Sequence, residues 1–218
     1  MNTQEIDTGK VKNLIENAQT IAVVPSEVAG ADSFSAAAGL YYTLQAAGKD
    51  VSLVYIGNIP AEAKGLIDAE KLTKDIYARQ LSISIDYSDT PASKLAYSNE
   101  DNVLKLVLSP ISKDFDRSKI KTRIEGNDFD LILVLGVQSP DDLGIVYKEL
   151  QDDFAGADVV NIDNTSMNLL HGDVNFIDTT AANLSELVFK LLSKVGLVPN
   201  GRAAKALLVG MTYREPQE

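Results

Sequence analysis

At 218 residues, 45% of them hydrophobic, the chain suits one large domain with a substantial core. It contains no cysteine, which excludes disulfides, thiolate zinc sites and cysteine nucleophiles and fits a reducing compartment. Its formal charge of -11 argues against strong non-specific nucleic-acid binding, and no run approaches the roughly 20 apolar residues of a membrane span.

The opening "MNTQEIDTGKVKNLIENAQ" has no apolar signal core, so a cytoplasmic protein with no membrane attachment is expected. Ile6, Val11, Leu14, Ile15 and Ala18 recur at helical spacing and predict a helix over 6–18. "TIAVVPS" (20–26) reads as an apolar strand. In "DSFSAAAGLYYTLQAAGK" (32–49), Phe34, Ala37, Ala38, Tyr41 and Leu44 mark one face of a helix. Asp32 is placed to cap its start and Gly48 to stop it. "VSLVYIG" (51–57) completes a strand–helix–strand unit, which implies a parallel sheet.

Residues 79–112 break the pattern. "LSISIDYS" (81–88) and "VLKLVLSP" (103–110) alternate apolar and polar, and "KLAYS" offers a further strand. Alternation implies one solvated face, hence an antiparallel hairpin or meander inserted at the sheet edge. "DRSKIKTR" (116–123) is the densest basic cluster and reads as a solvated face between elements.

"FDLILVLG" (129–136) returns to a near-continuous apolar run, as a strand covered on both faces requires. "SPDDLGIVYKELQDDF" (139–154) starts as a helix does, with Asp141 and Asp142 in its first turn. "ADVVNID" (157–163) is the next strand. Helices follow over 178–196 and 202–213. The expected fold is a three-layer α/β domain over 1–213, with a mainly parallel sheet of about five strands flanked by helices.

In such sheets ligands sit beyond the carboxyl ends of the strands. That draws attention to Ser26 to Asp32, Gly136 to Ser139 and Asp163 to Asn168. Asp163 and Asn164 suit a turn after a strand or a polar site. Asn168 and Asn175 suit loop bracing. His171, the sole histidine, lies off these positions in a loop. No Walker loop, dinucleotide fingerprint or nucleophile elbow occurs.

"NIDNTSMNLLHGDVNFIDTTAANLSELVFKLL" (161–192) resembles the signature region of the DHH phosphoesterases, the RecJ-like and nanoRNase–pAp phosphatase group. Ile162, Asp163, Asn168, Gly172, Asn175, Ser185 and Glu186 match its pattern of Ile-Asp-His-His, Asn, Gly, Asn and a helix carrying Ser-Glu. "SEVAGADSFSAAAGL", "FDLILVLGVQSPDDLG" and "VGMTYREP" fall at the family's first, second and fourth motifs, so the likeness runs over about 5–213 outside the insertion. The resemblance implies a crevice that, in the family, holds two metal ions, usually manganese, with His and Asp side chains.

The departures are as informative. The first-motif His falls on Ser26 and its first Asp on Gly30, while Asp32 is kept. The second-motif Asp falls on Gly136. Asp163 is kept, but the two His positions hold Asn164 and Thr165, and the fourth-motif Asp falls near Arg214. Two-metal hydrolysis needs anionic or imidazole ligands around cations ~3.5–4 Å apart. Ser, Gly and Asn do not supply them. The family usually continues into a smaller C-terminal domain. This sequence stops in the fourth motif, and 214–218 stand where that domain would begin, so no substrate clamp is expected.

The resemblance therefore implies a domain that has lost phosphodiester hydrolysis and acts as a binding or scaffolding module, with no cofactor. The remnant crevice would comprise Ser26, Asp32, Gly136, Asp163, Asn164 and Asn168, and Asp32, Asp163 and Arg214 would contact a nucleotide or short oligonucleotide. Arg214 and the amides opening the 32–49 helix would hold its anion. One alternative is an active Mn- or Mg-dependent phosphoesterase with a site rebuilt around Asp32, Asp163 and one of Asp141 and Asp142. Another is self-assembly, a homodimer formed through the hairpin edge.

Overall fold

The computed structural model describes residues 7–74, 76, 80–126 and 128–213. Ile6 and Arg214 lie outside them. The chain divides into two compact units, one formed by Met1–Ala78 with Asn127–Glu218, the other by Arg79–Gly126.

The larger unit opens with α1 (Thr8–Asn17), which buries Val11 and Ile15 and is capped by Asp7 through the Lys10 amide at 2.8 Å. Then come β1 (Thr20–Pro25), α2 (Gly30–Ala46), β2 (Asp50–Val54) and the two-residue β3 (Leu72–Thr73). The smaller unit supplies β4 (Gln80–Ile85), β5 (Lys94–Glu100), β6 (Val103–Ser109) and β7 (Ile120–Glu125). The chain returns through β8 (Leu131–Leu135), α3 (Ile145–Glu149), α4 (Gln151–Gly156), β9 (Asp158–Asp163), β10 (Val174–Ile177), α5 (Leu184–Val195) and α6 (Gly201–Thr212). None of the described helices is long and apolar enough to cross a membrane.

The fold is mixed α/β, as expected. Its main sheet has six strands, all parallel, in the order β10-β9-β8-β1-β2-β3. Successive residues of the central strands feed opposite faces. Ile21, Val23, Leu131, Leu133 and Leu135 join one core with α1, α2, α5 and α6. Ala22, Val24, Ile132 and Val134 join a second core with Leu143, Val146 and Leu150. Burial on both sides is why these strands read as unbroken apolar runs.

Several expected bounds shift for local reasons. The helix expected from Asp32 begins at Gly30, with Ala29 at the cap position, whose own side chain makes no capping bond. Asp32 therefore does not cap it. The 139–154 helix breaks into a 3-10 turn over Pro140–Leu143, then α3 and α4, because Gly144 takes φ +55. The 178–196 helix starts only at Leu184, where Asn183 caps it by accepting from the Glu186 amide at 2.8 Å.

In the smaller unit the two alternating stretches do not pair with each other. β5 pairs with β6 across a tight turn in which Asp101 and Asn102 both have positive φ, and β4 pairs with β7. The basic stretch 116–123 is thus not a simple solvated connection. From Ile120 it is a strand, with Lys121 and Arg123 alternating against Ile120 and Thr122.

Candidate functional site

The strand order reverses between β1 and β8: β2 and β3 lie to one side, β9 and β10 to the other. A crevice forms beyond the carboxyl ends of two parallel strands at such a point, because their connections leave in opposite directions. Ser26 follows β1 and Gly136 follows β8. Both line a cleft of about 350 Å³ with Ala29, Gln138, Asp142, Asp163, Asn164 and Leu184 among others. Ser26, Gly136, Asp163 and Asn164 thus line one cleft. Asp32 and Asn168 do not line the cleft, and Arg214 lies outside the described residues.

The two matching carboxylates already have hydrogen-bond donors. Asp32 Oδ2 accepts from the Leu184 amide at 2.6 Å, and Oδ1 accepts from the Ser185 amide at 3.1 Å and the Ser185 hydroxyl at 2.9 Å. Asp32 therefore caps α5, not its own helix. An uncapped helix start leaves amides without acceptors, and a carboxylate there also meets the favourable end of the helix dipole. The fit is tight, since a Cβ on Gly210 of α6 would fall 1.8 Å from the Ser185 hydroxyl oxygen.

Asp163 is buried at the end of β9. Its Oδ1 accepts from the amides of Asn164 at 2.7 Å and Thr165 at 3.3 Å, and Oδ2 accepts from Asn168 Nδ2 at 2.7 Å. Asn168 also donates to the Val137 carbonyl at 2.9 Å, and its own carbonyl accepts from Asn161 Nδ2 at 2.7 Å. Asn161 is fully buried and also donates to Asn175. Sequence reading missed Asn161, although a polar residue inside the "VVNID" run was its signal. Gly172 sits where a Cβ would lie within 3 Å of three backbone atoms, so only glycine permits this loop to close against β9. His171 is half-buried, with Nε2 2.9 Å from the Val137 carbonyl. It is a brace for this loop, not a free surface side chain.

The remaining positions offer little to a cation. Gly136 has φ +67, and a Cβ there would come within 2.7 Å of Leu184 Cδ1. The Ser26 hydroxyl accepts from the Ala29 amide at 3.3 Å. Asp142 accepts from the Ser139 amide at 2.9 Å. Among the described residues, no group of three or more His, Cys, Asp or Glu is arranged to hold a metal ion. Two-metal hydrolysis requires such a set, so the described residues do not fit that centre.

No protein-family model and no curated protein sequence matches the chain. Among solved structures, the crystal structure of an exopolyphosphatase-related protein from Bacteroides fragilis matches with a TM-score of 0.60 and 15% identity, over 96% of this chain and 51% of that one. The chain thus spans about half the length of the structure it matches. A likeness at this identity is one of fold alone.

Proposed function

We propose that the chain is a phosphoesterase-like domain that binds in its switch-point crevice and does not hydrolyse there. The observation that carries this reading is the engagement of Asp32 and Asp163. Each carboxylate that matches a metal-site motif accepts two backbone amides and one side-chain donor. A nucleotide or short oligonucleotide is the ligand class that suits what remains. The start of α2, with Ala29 in the cleft and no side-chain cap, presents the positive end of a 17-residue helix to a phosphate. Asp142 and Gln138 offer acceptors to ligand hydroxyls.

A second reading, a working Mn- or Mg-dependent phosphoesterase, draws on Asp142 and Asp163 lining one crevice. One experiment separates the two. Isotope-labelled protein is titrated with nucleoside monophosphates and dinucleotides, with and without manganese, while release of mononucleotide and phosphate is assayed. The binding reading expects shifts confined to residues around Ser26, Ala29 and Asn164 and no turnover. Metal-dependent turnover abolished by Asp163→Asn would replace it with the second reading.

A further inference from the structure

The smaller unit shows no core among the residues whose burial is described. Among its described residues none is buried, while Leu95, Tyr97 and Leu104 are 68%, 77% and 61% exposed. Its β5–β6 hairpin is two strands wide. Two-stranded ribbons are marginal in water, and three or more strands carrying an apolar face are needed for independent stability. Register places Leu95, Leu108, Tyr97, Leu106 and Leu104 on one side of the ribbon. β5 pairs on one edge only, and all seven of its residues are exposed.

We infer that the free edge of β5 pairs with the same edge of a second copy, antiparallel about a two-fold axis at Tyr97. Three observations select a second copy. First, the strand "KLAYSNE" is charge-complementary to itself when reversed. With Tyr97 on the axis, Lys94 of each copy faces Glu100 of the other, and Ala96 faces Ser98. Neither Lys94 nor Glu100 has an ion-pair partner within the chain among the described residues. Second, residues 79–126 hold eight Lys and Arg against seven Asp and Glu, whereas the whole chain holds 20 against 31. Two such units meet without the repulsion that the acidic remainder imposes on anionic partners. Third, the other edge lacks this complementarity, because pairing β6 with itself about its centre, Leu106, sets each Lys105 against Val107 with no opposite charge, and leaves the two Lys105 as diagonal neighbours. The product is a four-stranded antiparallel sheet with a continuous apolar face, an isologous contact of the kind that closes a dimer. This inference does not rest on the crevice reading.

The test is a charge swap followed by sedimentation and light scattering across protein concentration. The wild type is expected to be a dimer. Lys94→Glu and Glu100→Lys are each expected to weaken dimerisation by about tenfold, since the symmetry counts each altered pair twice. Combining them should restore it. Restoration also rules out simple unfolding of the hairpin as the cause. A wild type that stays monomeric at the highest concentration overturns the inference, as does a dimer indifferent to the single changes or not rescued by the double one. A monomer that instead binds anionic vesicles would assign the apolar face to lipid.

Discussion

Asp32 carries a structural duty that no local pattern could reveal, because its partners Leu184 and Ser185 lie 152 and 153 residues away. Its position at the head of the 32–49 stretch suggested a cap, which was the right chemistry for the wrong helix. Asp32→Ala is expected to cost about 2–3 kcal/mol, because it leaves two helix-start amides without their charged acceptor. Denaturant unfolding would measure it. A variant as stable as the wild type would return Asp32 to the pool of free ligands. Asp153 tests the opposite sign. Burial pushes its carboxyl above the ordinary range, although it accepts from the Phe129 amide at 3.3 Å. Between the unfolded value and this raised folded value the native state holds more protons, so its contribution to stability falls as pH rises through that window. Asp153→Asn keeps an acceptor for Phe129 and removes the charge. Its stability relative to the wild type should therefore improve from acid to neutral pH, as unfolding at several pH values would show, and a gap independent of pH would contradict this.

The strands and helices were legible in proportion to how much of their neighbourhood lies in their own sequence. β1, β8 and β9 announced themselves as apolar runs because both faces are covered. β3 has two residues and no pattern to read. β10 hides behind the Gly172 loop, and β7 was masked by the charges on its polar side. The crevice was legible as strand ends, but its location needed the strand order, which no local pattern contains. Packing between helices was equally hidden. Gly210 reads as a weak point in α6, yet it admits the Asp32–Ser185 contact. Gly210→Ala is therefore expected to destabilise by about 1–3 kcal/mol, despite alanine's better helix propensity, because the added methyl must displace Ser185. A stabilised variant would mean the contact is looser than drawn.

The chain as a whole combines a parallel α/β body with an antiparallel unit in which none of the residues of described burial is buried. At the strand ends of the body, Asp163, Asn168, Asn161, Asn175 and Gly172 are joined in one hydrogen-bonded loop. That loop holds β9, β10 and the segment after β8 in register, which is reason enough for those residue types without catalysis. The crevice is expected to bind no manganese. Metal-stripped protein titrated calorimetrically with manganese should release no binding heat, and Asp163→Asn should not alter the trace. Stoichiometric, Asp163-dependent manganese binding would contradict it and place the chain among metal-dependent phosphoesterases.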